Sequence, residues 1–253
     1  MPTLAAPLVL GFSSKMYFGH AQSIAWARRL VELSRGHAAL VAGAELFVLP
    51  TAPSIEAVAR ELRGSGIAWG AQHCHPDDAG AHTGDVSAAV LAELGCSFVE
   101  VGHAERRRDH GEGDELIAVT AAAVLRHGMT PVLCIGEVER DAAKSAAIDV
   151  IAQVDRALRD APAGRIVAAY EPVWAIGAAE PAPDDHITDV GEALRAHLQG
   201  LPDRAGSAVI YGGSAQPGQL ARLGGGVDGL FLGRFAHDPA AVVSILDEAK
   251  VLP

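Results

Sequence analysis

Three side chains combine reactive chemistry with position: Lys15 behind the apolar run "LVLGF", His103 behind "FVEVG" and Glu171 behind "IVAAY". The glutamate is followed by Pro172, which has no N–H to extend a strand ladder, and its neighbours Tyr170, Val173, Trp174 and Ile176 are apolar. A carboxylate so placed is desolvated, so its pKa rises toward that of a general base; a structural ion bridge is the other use of such a group. His103 stands before the polar stretch "AERRRDHGEGDE", which reads as a turn. A neutral imidazole there donates to a carbonyl oxygen and shuttles a proton, or ends a strand as a satisfied histidine. Glu105 with Arg106 or Arg107 is expected to form an ion network that holds this segment and Lys15.

Glycine clusters supply a second kind of chemistry. "IYGGSAQPGQL" and "VDGLFLGRFA" put Gly212, Gly213 and Gly233 directly behind apolar runs, where backbone N–H groups and a short helix's N-terminus suit an anion. Gly224 to Gly226 precede the last run and read as a turn. His73 and His75 flank Cys74 and share a face if extended, yet no third ligand matches them and Pro76-Asp77-Asp78 reads as a turn, so no metal site is assigned.

Positioning these groups requires a repeated unit. Eight short aliphatic runs recur, starting at residues 8, 45, 66, 96, 130, 165, 207 and 227. Between them lie segments of helical periodicity such as "QSIAWARRLVELSRG", "SIEAVARELRG", "DELIAVTAAAVLRHG" and "KSAAIDVIAQVDRALRD". The runs are continuously apolar rather than alternating, which predicts parallel strands buried on both faces. Eight such units in 253 residues, with no linker, predict a single (β/α)8 barrel domain over 1–253, an open doubly wound sheet being the alternative. In a barrel the reactive groups above all fall at C-terminal strand ends and share one mouth.

Composition narrows the partners. Hydrophobic residues make up 49% and charged residues 20%, a globular balance. A net charge of −11 argues against nucleic acid and anionic membranes, and it obliges any anionic substrate to be held by local charge and backbone N–H groups. "LAAPLVLGF" is too short to span a bilayer and has no basic segment before it. Cys74, Cys96 and Cys134 have no paired spacing, which points to buried thiols and a cytoplasmic protein.

The motifs "VGHAERR" (101–107), "CIGE" (134–137), "YEPVWAIG" (170–177) and "YGGS" (211–214), with Lys15-Met16, occur in order along the chain and resemble those of the triosephosphate isomerases. The resemblance implies that Glu171 moves a proton between adjacent carbons while Lys15 and His103 polarise the oxygens of an enediolate. It further implies that Pro172 to Gly177 form a lid, and that Gly177, Ser214 and Gly233 bind the substrate phosphate through N–H groups. No cofactor or metal is implied. A homodimer is, through residues near Gln72 and Thr83.

The sequence departs from the family where specificity is set. Ser13-Ser14 stand where Asn-Trp is usual, Ala104 where Ser is usual, Ala178-Ala179-Glu180 where Thr-Gly-Lys is usual, and Arg234 where a second glycine is usual. Ser13 and Gly233-Arg234 also resemble a branch that interconverts L-erythrulose 1-phosphate and D-erythrulose 4-phosphate, whose extra hydroxymethyl group needs room that smaller residues at 13 and 104 would supply. That pair is the favoured expectation; dihydroxyacetone phosphate with glyceraldehyde 3-phosphate is the alternative, and a non-catalytic sugar-phosphate binder the second. Arg234 is expected either to contact phosphate or to point outward in an ion pair.

Overall fold

A computed structural model describes residues 8–177 and 181–248. The eight apolar runs form strands β1 (Leu8–Ser13), β2 (Ala44–Leu49), β3 (Ile67–Ala71), β4 (Phe98–Val101), β5 (Thr130–Ile135), β6 (Val167–Tyr170), β7 (Ala208–Tyr211) and β8 (Gly229–Leu232). Each pairs in parallel with the next, and β8 pairs with β1, so the sheet closes in the order β1 to β8. Closure removes the edges that an open sheet would have left.

Both strand faces are buried, which explains the unbroken apolar runs. Inside the barrel, Phe47 stacks on Phe98 with ring centroids 4.2 Å apart, beside Phe231, Val132 and Ile210. Gly11 makes this packing feasible: a Cβ there would overlap the rings of Phe47 and Phe231. A second, larger apolar layer lies between sheet and helices, as for Leu30, Ile117, Val150 and Leu194. Helices His20–Ser34, Ile55–Leu62, Asp114–Arg126 and Ala143–Ala157 occupy the periodic segments.

One expectation is corrected. The polar stretch after His103 is no simple turn but begins with helix Ala104–His110. His103 Nδ1 accepts the Glu105 N–H at 3.1 Å, and Gly111 ends the helix in a left-handed conformation. The charged side chains hid the helix because they face neighbouring acids instead of a core. The glycines before β8 do form a turn, with Gly224 and Gly225 at φ 56° and 98°. Among the described residues, no helix is long and apolar enough to cross a membrane.

All three cysteines are buried and free. Burial pushes Cys74 and Cys96 up to about 12 and Cys134 well above its ordinary value. The native protein should therefore resist a thiol reagent at pH 8 for hours, and three thiols should react at once in denaturant; rapid labelling of the native protein would contradict this packing.

Candidate active site

The C-terminal end of the barrel gathers charged groups from β1, β4 and β6. Beyond β1, Lys15 adopts φ 45°, a left-handed conformation that side chains rarely take, and the loop around it is tied down to tolerate the strain. Gln72 does the tying: its amide donates to Leu49 O (2.9 Å), Lys15 O (3.1 Å) and Ser14 Oγ (3.1 Å). Lys15 Nζ in turn meets Glu105 Oε1 at 2.8 Å. Burial opposes its charge, but Glu105, Glu171 and Glu100 outweigh that and raise its pKa, so the ammonium persists.

Glu171 and His103 meet in the same space. Glu171, 5% exposed, lies with Oε2 3.3 Å from His103 Nε2. Its backbone N–H donates to Ile135 O at 2.8 Å, and Gly212 clears its path, since a Cβ there would overlap the Glu171 carboxylate. Burial disfavours charge on the His103 ring, but Glu171 and Glu100 overcome it and raise the pKa to about 9. Against that pull, Nδ1 accepts the Glu105 N–H and so carries no proton; this contact holds the ring in the neutral tautomer whose one proton sits on Nε2.

The expected network around Glu105 is partly corrected. Arg106 pairs with Glu112 at 2.6 Å, and Arg107 pairs with Asp114 at 2.8 Å while donating to Gly102 O. Glu105 is therefore left to Lys15 and His103.

Glu100 escaped the sequence reading, and Glu137, which stands in the motif "CIGE" at a strand end, was given no role by it. Glu100 is 4% exposed inside β4, accepts from Ser13 Oγ at 3.0 Å, and stands 4.0 Å from His103 Nε2. Its signal was available: a charge two residues from Phe98 shares the interior face of a fully buried strand. Glu137 Oε1 accepts from Tyr170 Oη (3.1 Å), Trp174 Nε1 (2.8 Å) and His186 Nε2 (3.0 Å), and Glu137 O accepts the Val173 N–H (3.0 Å). This fastens the short helix Val173–Ala175 at the start of the segment reaching Gly177. Its partner His186 lies 49 residues away, which no local pattern reveals.

Spaces open on both sides of Lys15. One cavity of about 140 Å³ is lined by Lys15, Glu171, Gly177, Ser214, Gly233 and Arg234. Arg234 is exposed and forms no ion pair among the described residues, so the outward pair is not found. A cleft of about 700 Å³ is bordered by Ser13, Lys15, Gln72, Glu100 and His103. Ala104 borders neither; it lines a third space of about 260 Å³ with Glu171 and Cys134, so it gives no room at Ser13. Gln72 turns into its own chain, whereas Thr83 sits in the exposed stretch 77–85. Residues 178–180, which include the altered lid sequence, lie outside the described residues.

His73 and His75 do not converge. His73 Nδ1 faces Glu112 at 3.7 Å, while His75 stacks on His82 with ring centroids 3.9 Å apart. One ligand atom each from His75, Asp77 and His82 come within 4.8 Å of one another, but His75 Nδ1 accepts the Asp77 N–H at 3.1 Å and His82 Nε2 meets Asp77 Oδ2 at 3.1 Å, so the group is held by its own hydrogen bonds.

A closed (β/α)8 barrel with a buried carboxylate, an imidazole and an ammonium at its mouth defines an acid–base enzyme. The family model described as triosephosphate isomerase matches residues 8–249. An L-erythrulose-1-phosphate isomerase of Pectobacterium atrosepticum is 49% identical over 97% of this chain and 96% of its own. A triosephosphate isomerase of Gluconacetobacter diazotrophicus is 42% identical over 76% of this chain and 78% of its own. The crystal structure of triosephosphate isomerase from Bartonella henselae superposes with a TM-score of 0.83 at 26% identity, covering 96% of this chain and 99% of that one. The chain belongs to the triosephosphate isomerase family and is an isomerase of that type.

Gly212→Ala tests the placement of Glu171. Crowding the carboxylate by an ångström should lower isomerase kcat by about 10²-fold while the protein stays folded by circular dichroism. Unchanged turnover would mean that Glu171 does not need this position.

Proposed function

We propose that the protein interconverts L-erythrulose 1-phosphate and D-erythrulose 4-phosphate through an enediolate. Glu171 takes the proton from the carbon beside the carbonyl; that C–H electron pair becomes the C=C bond, and the carbonyl pair moves to oxygen. The hydroxyl proton of the neighbouring carbon passes by way of His103 Nε2 to the former carbonyl oxygen, the same carboxyl returns its proton to the former carbonyl carbon, and the neighbouring oxygen becomes the new carbonyl. The two oxygens share charge with Lys15 Nζ and the His103 Nε2 proton, donors aimed in advance where charge develops. Two protons and one double bond move with no net change of oxidation state, which calls for no cofactor. Gly177, Ser214 and Gly233 offer N–H groups to the phosphate, Arg234 adds charge, and Glu105 keeps Lys15 in place.

One observation carries the four-carbon reading. Beyond Lys15 and His103, away from the cavity lined by Gly233 and Arg234, the site opens into the cleft of about 700 Å³ walled by the small side chain of Ser13. A triose phosphate ends at the reacting carbon, whereas a tetrulose phosphate continues past it by one hydroxymethyl group. The printed name of the relative at 49% identity agrees with this reading. The reading extends to a homodimer, supported by the exposed stretch around Thr83 and by Met16, 92% exposed at the rim of the cleft. It also takes the whole chain as one barrel domain, and the three free thiols suit a reducing compartment such as the cytoplasm.

Coupled assays on both substrate pairs test the proposal. Turnover of L-erythrulose 1-phosphate should exceed that of dihydroxyacetone phosphate, with some activity on the smaller substrate because added volume discriminates by only about 1–3 kcal/mol. Fast triose phosphate turnover with none on the tetrulose would refute it. Glu171→Gln should cost about 10³-fold in kcat; a parent inactive on every small sugar phosphate would instead favour a binder.

Arg234→Gly separates phosphate contact from surface charge. Loss of a charge-assisted contact should raise KM about tenfold with little change in kcat. An unchanged KM would remove Arg234 from the binding site.

A further inference from the structure

Glu100 is a buried carboxylate at this mouth to which the proton transfer gives no task. It lies on β4 in phase with Phe98, so its side chain enters the barrel interior beneath His103. It is 4% exposed, and a carboxylate so far from water is costly unless polar partners compensate it. Ser13 Oγ satisfies Oε2 at 3.0 Å, Lys15 is engaged by Glu105 at 2.8 Å, and Oε1 has His103 Nε2 at 4.0 Å, beyond hydrogen-bond reach. Acceptor capacity therefore remains on Oε1.

Its placement restricts what that capacity is for. Glu100 and Ser13 border the large cleft together, and Glu100 is not part of the lining of the cavity at Ser214, Gly233 and Arg234. A negative group 4.0 Å from the imidazole also opposes the charge that builds on an enediolate, so it does not assist the shared chemistry. Burial, with Glu171 nearby, raises the Glu100 pKa and reduces that conflict. A sugar hydroxyl both donates and accepts, and so pairs with the carboxyl in either protonation state.

We propose that Glu100, held by Ser13, receives the terminal hydroxyl of the four-carbon substrate and makes the site specific for a hydroxylated chain end. This rests on the tetrulose phosphate reading above. The sequence departure at residue 13 then has a definite consequence: a serine here both leaves space and orients the carboxyl. Volume alone rejects a missing methylene weakly, whereas a buried polar group left unpaired by a deoxy compound rejects it strongly.

The test compares kcat/KM for L-erythrulose 1-phosphate with that for its 4-deoxy analogue, first in the parent and then in Glu100→Val and Glu100→Gln. The parent should prefer the hydroxylated compound by about 10²-fold or more. Glu100→Val should collapse that ratio to within about tenfold, and Glu100→Gln, which retains hydrogen-bonding groups, should keep most of it. Equal turnover of the two compounds by the parent overturns the proposal without any variant, which covers the case in which valine prevents folding. A ratio unchanged in Glu100→Val overturns it too, even if both rates fall, because that result makes Glu100 a positioning residue for His103. A parent that turns over triose phosphate but neither four-carbon compound overturns the substrate reading itself, and is recognised before the deoxy comparison begins.

Discussion

The contact between Glu171 Oε2 and His103 Nε2, 3.3 Å long, joins two side chains that are 5% and 4% exposed, and much of the barrel mouth is arranged around it. Water cannot stabilise charge there, so each ionisable group needs a specific partner. The pairing is nearly complete: Lys15 with Glu105, Glu171 with His103, and Glu100 with Ser13. These groups come from β1, β4 and β6 or the segments just beyond them. Only the closed parallel register, with Phe98 paired to Thr130 and Val167 paired to Val132 and Ala208, brings chain segments so distant in sequence to one depth. The fold's contribution to chemistry is thus a set of fixed distances.

Glu137 anchors the chain that leaves Glu171. Its carboxylate ties Tyr170 at the end of β6 to Trp174 in the segment that follows, while its carbonyl holds the Val173 N–H. Arg140 covers the Trp174 ring from 5.1 Å. The chain leaving Glu171 is therefore anchored for its first turn, and Gly177, at φ 72°, is the first position past the anchor with a conformation that a side chain rarely adopts.

Much of this was legible in the sequence because the relevant signals were local. Each strand was a continuous apolar run, and Lys15, His103 and Glu171 stood at run ends, where a barrel collects its reactive groups. What could not be read depended on partners distant in the chain. Arg106 and Arg107 sit beside Glu105 in sequence but turn to Glu112 and Asp114, because a helix rather than a turn follows His103. Ser13 and Ala104 are both small, yet they border different spaces, a distinction that residue size alone does not carry. Glu100 could be noticed as a charge inside an apolar run, but its partner Ser13, 87 positions earlier, could not be read from that run.

The protein's charge sharpens the problem of recognising a phosphate. At −11 the whole molecule repels an anion, so long-range steering does not favour capture. Within the cavity beside Gly233, the cations Lys15 and Arg234 are matched by the acids Glu105 and Glu171, and the ammonium is already engaged at 2.8 Å. Side-chain charge inside this space therefore nearly cancels. On the proposed reading, attraction for a phosphate arises at short range, from N–H groups of the loops after β7 and β8 and from an arginine that no carboxylate among the described residues claims. On that reading the site gains little by attracting anions from afar and much by fitting one that has entered, and discrimination between sugars falls to the other end of the proposed substrate, where Ser13 and the cleft begin.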